Sequence, residues 1–522
     1  MLDNIFIAFV LALLPIIWLI VALCGLKLQA HIASVGALIV AFVEAVIIWK
    51  MPIFLAATAA LEGFAMAIWP IVLVIIAAVF TYDITVYTGA MEVIKKIITS
   101  VSCDKRILVI LIGWCFGGFL EGMAGFGVAI AIPASMLYAL GFNPVDAILA
   151  CLIANGCPTM FGSIGIPTTT LAGVTGLEAS TLAFVETIQV APLLFISPFL
   201  MIMLVSGGFK GLKGLIPFTL IASLSFVIPE ILAAKFVGAD LTVVIASVVS
   251  LACTFVYASK YGKTHEVPEE YKMEIPTSEK DAPITVNSAL TAFAPFILIF
   301  VLLLMTSKLV PFINEPLSAI KSSVYIYQGE GASPYTFTWI NTPGVLIFLS
   351  GIIGGFIQKC SVSDLIKVLT ATVKRMSKTI CTMLGVLGCA KIMGYAGMIS
   401  CISTFFVTVL GSLYPLASPL IGALGTFVTG SGTSSEVLFG NVQLEAAQAI
   451  GMNEFWLVAA NSLGTSAGKM LAPQSIAIGC AACALDGKDG EILGKIAKYA
   501  FSYVIVMAII VYFGSPIINF LI

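Results

Sequence analysis

The sequence predicts an all-α polytopic membrane protein of about 12 transmembrane crossings, built as an inverted repeat in which each half holds a re-entrant hairpin and a broken helix. Three observations predict it. Of 522 residues, 60% are hydrophobic and 10% charged, against roughly 25% charged in an average soluble domain. Polar, glycine-rich stretches inside apolar sequence occur twice. Tyr87, Gly89, Gly117, Phe119 and Gly122 recur 308 residues later as Tyr395, Gly397, Gly425, Phe427 and Gly430, and Asn155, Thr159, Gly162 and Pro167 recur 306 residues later as Asn461, Thr465, Gly468 and Pro473. The basic residues, finally, crowd onto alternate loops.

Taken in order, Ile5 to Gly25 is long enough to cross the roughly 30 Å hydrocarbon layer. It lacks a basic start and a small-residue cleavage site, so it reads as a retained span. Spans follow at 28–49 and 70–89. The stretch 107–141 turns at a glycine-rich tip and reads as a hairpin entering and leaving on one side, which is allowed only where protein or water satisfies its backbone. Residues 146–185 form a broken span and 187–206 a plain one, closing a first repeat over 1–206. Spans 212–235 and 240–260 and the polar loop Tyr261 to Pro283 fill a linker region, 207–284. The second repeat, 285–522, holds span 285–310, a short hairpin of alternating residues within 314–342, span 343–359, an amphipathic basic helix at 363–378, span 378–398, hairpin 412–451, broken span 453–485 and span 495–520.

Charge tests this topology. With the N-terminus outside, nineteen of the 25 lysines and arginines fall in inner loops. Four (Lys50, Lys235, Lys308, Lys321) fall outside, and Lys391 and Lys469 lie within spans. That asymmetry satisfies the positive-inside rule and puts both termini outside. It also sets span 70–89 and its partner 378–398 in opposite directions, so the repeat is inverted and suits alternating access.

Three sets of residues point to chemistry. The hairpin tips, Glu121-Gly122-Met123-Ala124-Gly125 and Thr429 to Ser435, each precede a helix start, where free N–H groups attract an anion and hydroxyls add donors. The broken helices, Asn155 to Thr170 and Asn461 to Ser475, carry prolines that remove backbone hydrogen bonds, and amides and hydroxyls that repair the backbone or hold a ligand. Charges at bilayer depth are functional candidates. Asp83 and Lys391 occupy equivalent repeat positions and read as an ion pair, structural or coupling. Lys469, beside the second break, is placed to attract a carboxylate, and Glu121 to exchange a proton. Glu44, Glu62 and Glu436 read as lying near interfaces.

Other classes find no support. The twelve cysteines are scattered through apolar segments as small hydrophobes. Cys480-Ala-Ala-Cys483 stands without a second pair, and His31 and His265 are isolated, so no metal or cofactor is expected. There is no nucleophile–base set for an intramembrane enzyme and no basic patch for nucleic acid.

The tips and breaks resemble the L-lactate permease family of bacterial monocarboxylate–proton symporters. The resemblance rests on Gly117-Gly-Phe-Leu-Glu121-Gly-Met-Ala-Gly125-Phe126-Gly127, Phe161-Gly-Ser-Ile-Gly-Ile-Pro167, Thr429-Gly-Ser-Gly-Thr-Ser-Ser435 and Asn461 to Gly468-Lys469-Met470-Leu-Ala-Pro473-Gln474-Ser475, and covers both repeats. It implies a cell-membrane carrier for lactate, and in some members glycolate, that moves by an elevator-like slide and couples to protons. Backbone N–H groups of the tips, with Gly122, Gly125 and Gly430 among the site residues, and Ser431, Thr433, Ser434 and Lys469 would receive the substrate carboxylate; Asn155, Thr168, Asn461 and Gln474 would orient its hydroxyl, and Thr159 is a further substrate-binding candidate. Asp83 or Glu121, with Lys391, would manage the proton. Sodium coupling in the same architecture and a passive anion channel remain alternatives, and a homodimer is permitted.

Overall fold

The computed structural model describes residues 4–26, 28–125, 127–261, 266–273, 285–307, 309–332, 334–485 and 488–521. Lys27, Phe126, His265, Lys308 and most of the expected polar loop lie outside the described residues. Helices carry the fold. Eleven of them are long and apolar enough to cross a membrane, or up to 12 if the bent pair Ile5–Ala12 and Leu14–Leu23 counts as one span. The strands among the described residues are Lys321–Val324 and Tyr335–Thr338, an antiparallel pair where a short hairpin was expected.

The two repeats make the same local structure at their first equivalent glycines and differ in detail at the tips and breaks. Gly89 (φ 75) and Gly397 (φ 81) both take the left-handed conformation that starts a new helix, Ala90–Thr99 in one copy and Met398–Leu410 in the other. A side chain there would be strained, which is why glycine stands at both. The first hairpin runs from Lys105 through Met123, turns, and returns as Val128–Ala139. The second runs Tyr414–Thr429, turns at Gly430, and returns as Gly432–Ile450. The first broken helix is Pro144–Gly156, a tight turn Cys157–Phe161, and Gly162–Thr175, with Ser163, Ile164 and Gly165 all left-handed. The second is Glu454–Leu471 and Pro473–Ala482, parted at an extended Ala472 where proline forbids a continuous ladder.

Three expectations need correction. The stretch before residue 70 is helical, not a connection: Ile53–Met66 leads through a kink at Trp69 into Leu73–Tyr87. Glu62 and Pro70 interrupt the apolar run there, yet Ile53–Tyr87 as a whole is apolar enough to cross a membrane. Its small face, Ala56, Ala59 and Gly63, packs against the helix Val362–Tyr395 so closely that a Cβ on Gly63 would lie 2.6 Å from the Gly388 Cα. Second, the expected interface helix 363–378 and span 378–398 are one helix of 34 residues, Val362–Tyr395. Hydropathy rises along it, but no glycine or proline stands at the join to break the backbone. Third, the first broken span ends at Thr175, not 185. Gly176 (φ 74) stops it, and Glu178 caps the next helix, Ala179–Ser206, by accepting the Thr181 N–H at 2.6 Å.

The strand pair clamps the Trp69 kink. Trp69 Nε1 donates to the Thr338 carbonyl at 3.0 Å, and the Tyr335 hydroxyl donates to the Trp69 carbonyl at 2.5 Å. Closest packing joins the second hairpin to the second broken helix. A Cβ on Gly464 would overlap the Pro419 carbonyl, and one on Gly468 the Ala423 carbonyl. Small residues let helices approach this way in lipid, where packing rather than hydrophobicity drives association. Gly464→Ala is therefore expected to destabilise by about 1–3 kcal/mol, read as a lower melting temperature in detergent; an unchanged melting temperature would show that the contact yields.

Candidate functional site

The tips and the breaks converge. Glu121 and Gly125 from the first tip, Thr159 and Ser163 from the first break, Thr429 to Thr433 from the second tip, and Lys469 and Gln474 from the second break line one cavity of about 330 Å³. That is at the small end of the roughly 300–1,000 Å³ of small-molecule sites. The other wall comes from Ala30–Ile47, through His31, and from Val362–Tyr395, through Lys378, Thr379 and Thr382.

Local chemistry builds each part. Ser431 caps the helix Gly432–Ile450, its Oγ accepting the Ser434 N–H at 3.3 Å, and this start faces the cavity with Gly432 and Thr433. Ser163 Oγ donates to the Ala124 carbonyl at 2.9 Å and ties the first break to the first tip. Asn155 Nδ2 donates to Glu121 Oε2 at 2.6 Å, and Thr159 Oγ1 to the Asn155 carbonyl at 2.7 Å. Lys469 is 9% exposed and donates to the Gly430 carbonyl at 3.2 Å. An ammonium has three donors, so that bond leaves capacity for a ligand. Lys469 and Glu121, 4% exposed, act on each other electrostatically across this space.

Eight of the residues singled out by sequence line the cavity: Glu121, Gly125, Thr159, Gly430, Ser431, Thr433, Lys469 and Gln474. Asn155 sits behind it as the support of Glu121. Others are elsewhere. Gly122 packs against Val243 and Val244, where even a Cβ would be tight at 3.0 Å, so it cannot face a ligand. Thr168 donates to the Met160 carbonyl and to Glu186 Oε2. Asn461 Nδ2 donates to Glu436 Oε2 at 2.8 Å. Ser434 is buried away from the cavity wall, and its Oγ has no partner among the described residues.

The expected Asp83–Lys391 pair does not form. Asp83 accepts from Arg375 at 2.6 Å and from Thr372 at 2.6 Å, while Lys391 pairs with Glu62 at 2.8 Å. The two helices run antiparallel: contacts pass from 62 with 391 to 83 with 375. Equivalent positions of an inverted repeat therefore lie at opposite ends. Glu62, read as lying near an interface, is 2% exposed and also accepts from the Tyr395 hydroxyl. Glu44 and Glu436 are likewise buried. Lys391→Met alone strands a buried carboxylate, a loss of about 3–5 kcal/mol. The Glu62→Gln/Lys391→Met double variant is expected to recover much of it, whereas Asp83→Asn adds independently; thermal unfolding of the set reads the coupling.

Sequence reasoning missed Glu186. It fell on the wrongly placed boundary between two spans, yet it is fully buried and accepts from Thr168 and Ser462, each at 2.5 Å. It also missed that the equivalent asparagines, Asn155 and Asn461, each hold a glutamate, one on the first arm of its hairpin and one on the second.

The family model for L-lactate permease matches residues 8–518. This chain belongs to the L-lactate permease family. An L-lactate permease of Streptococcus iniae is 40% identical over 450 residues, 86% of this chain and 93% of that protein. The L-lactate permease of Escherichia coli K12 is 32% identical over 542 residues, 100% of this chain and 98% of its own, and the glycolate permease GlcA of the same organism is 33% identical over 531 residues, 96% and 94%. As a member of the L-lactate permease family the chain is a transporter, not an enzyme, and a multi-pass membrane protein.

Proposed function

We propose that the chain imports a small 2-hydroxy monocarboxylate, L-lactate or glycolate, together with a proton by alternating access. The observation that carries this reading is Lys469, a buried cation with donor capacity to spare, set between two hairpin tips in a cavity of about 330 Å³. The substrate carboxylate takes Lys469 and the helix start at Gly432–Ile450, where N–H groups favour an anion. Thr159 and Gln474 are within the same wall for the 2-hydroxyl.

Glu121 supplies the coupling. While the site is empty it balances Lys469. When the substrate carboxylate takes over Lys469, Glu121 takes a proton, and the loaded site is neutral. A half-loaded site leaves a buried charge unpaired, which costs several kcal/mol and holds the carrier still. Asp83 and Lys391, each already paired at a distance from the cavity, are left to hold the scaffold.

The orientation follows from charge. Lys378 lines the cavity and belongs to the inner set of basic residues, so the cavity opens to the cytoplasm and both termini face outside. The tips and breaks slide as one body past Ala30–Ile47 and Val362–Tyr395. Sodium in place of the proton is the alternative, favoured by the buried, unpaired Ser434 Oγ. Uptake of labelled L-lactate into proteoliposomes with an inward proton gradient and no sodium separates them. Accumulation abolished by a protonophore supports the proton; accumulation only when sodium is added overturns it.

A further inference from the structure

Of the buried carboxylates still without a task, two lie beside one another. Glu186, on Ala179–Ser206, and Glu436, on Gly432–Ile450, are each 0% exposed. Ser462, on Glu454–Leu471, donates to Glu186 Oε1 at 2.5 Å, and Thr168 to Glu186 Oε2 at 2.5 Å. The neighbouring Asn461 donates to Glu436 Oε2 at 2.8 Å, and Glu436 Oε1 has no partner among the described residues. A carboxylate pair this buried, with no ion pair to either member among the described residues, is a place where a proton is held in preference to a charge.

The pair also lies between two cavities. On one side Thr168 is followed by Thr169, which lines a second cavity of about 200 Å³ with Glu178, Asp240, Asn314 and Asn341. By loop charge that cavity is on the outer side and the central one on the inner. On the other side Ser462, Ser466 and Lys469 follow at intervals of four and three along one helix, so they share a face. Seven residues span about 10 Å of rise, and Lys469 is the residue that lines the central cavity. The hydroxyls of Ser466 and of Ser434, two residues before Glu436, are buried without a partner among the described residues. Those unpaired groups are the links such a route needs.

We propose that Thr168, Glu186, Ser462 and Glu436 form a proton relay that carries the proton from the outer cavity to Glu121 by a path separate from the substrate's. It rests on the proton-symport reading above. One proton resides on the glutamate pair. Ser462, which interacts with both carboxylates, passes it between them by giving up its own proton to one as it gains one from the other, and the Ser466 and Ser434 hydroxyls hand it on to the cavity. Of the other titratable groups on the surrounding helices, Glu230 is buried with neither carboxylate oxygen partnered among the described residues. Cys157 and Tyr503 meet at Ser197, Lys469 is turned to Gly430 and Glu121, and Glu230 lies on the Cys157 side. The first repeat has Gly156 where Ser462 stands, so the route exists in one half only.

The test uses the full chain in proteoliposomes with three readings: labelled lactate exchange at equal pH, lactate-driven acidification of the lumen, and the pH dependence of lactate binding. Exchange needs only the loaded carrier to reorient, not a proton to pass. Glu186→Gln and Glu436→Gln are expected to keep exchange within about threefold and pH-dependent binding, while acidification falls tenfold or more. Acidification at the wild-type rate overturns the relay, and so does a parallel loss of exchange, which would make the pair structural. If a glutamine variant fails to insert, Ser462→Ala carries the test: a severalfold slower acidification with exchange retained supports the relay, and an unchanged rate overturns it. Wild-type exchange without any acidification overturns the symport reading itself, and the relay with it; normal wild-type coupling with normal variants overturns the relay alone.

Discussion

Lys469→Gln is expected to abolish lactate uptake at low substrate concentration while the protein still reaches the membrane. The ammonium is the cation of the cavity best placed to receive a carboxylate, and a charge-assisted hydrogen bond contributes about 1.5–3 kcal/mol, roughly 10- to 150-fold in affinity. The variant loses more than that bond. Glu121, 4% exposed, is left without its counter-charge, so it repels the incoming anion unless protonated. The expected loss is therefore a hundredfold or more, and the Lys469→Gln/Glu121→Gln double variant is expected to be better folded than Lys469→Gln alone without recovering transport. Uptake by Lys469→Gln within a few-fold of wild type would remove the lysine from the site.

Glu121→Gln is expected to separate exchange from accumulation. Glutamine mimics the protonated acid and still accepts from Asn155, which donates at 2.6 Å in the wild type. Lactate then binds without waiting for a proton, so its binding no longer weakens as pH rises. The loaded form reorients and exchange persists, but no proton is released inside, and gradient-driven accumulation is lost. In the wild type the dependence is present: because protonation of Glu121 accompanies binding, affinity rises as pH falls. Lactate binding measured between acid and neutral pH distinguishes the two, and a Glu121→Gln protein that still accumulates lactate against its gradient would place the coupling elsewhere. Glu186→Gln is expected to differ in keeping the pH-dependent binding.

Much of this site was legible before any coordinates. A repeat at 308 and 306 residues marks two hairpin tips and two helix breaks, and glycine and proline are local signals that act through φ and a missing N–H regardless of what surrounds them. That is why Gly89, Gly397, Gly430 and Pro473 stand where turns and breaks were expected. Lys469 stands out because a lysine within an apolar run has few structural reasons to be there, and it lines the cavity. The misses share a cause. Glu62, Glu186 and Asp83 were placed by hydropathy windows or by repeat equivalence, and neither reports which helix lies opposite. The helix Ile53–Met66 escaped although, with the helix that follows, it is apolar enough to cross a membrane, and Lys391 from a helix more than 300 residues away neutralises its one glutamate.

Membrane class, duplication, tips and breaks, and a lysine set within an apolar run are all legible in the chain, because each depends on composition or on the conformational limits of single residues. Tertiary structure alone decided the partners. Antiparallel packing of the repeat-related helices sends Asp83 to Arg375 and Lys391 to Glu62. Packing of the first hairpin against the second broken helix brings Glu121 and Lys469 to one cavity, and packing of Ala179–Ser206 against the same broken helix joins Glu186 to Ser462 across 276 residues. A charge or hydroxyl in a span announces that it must be satisfied, but the group that satisfies it comes from another helix. Its identity depends on helix direction and rotation, which a linear pattern does not encode.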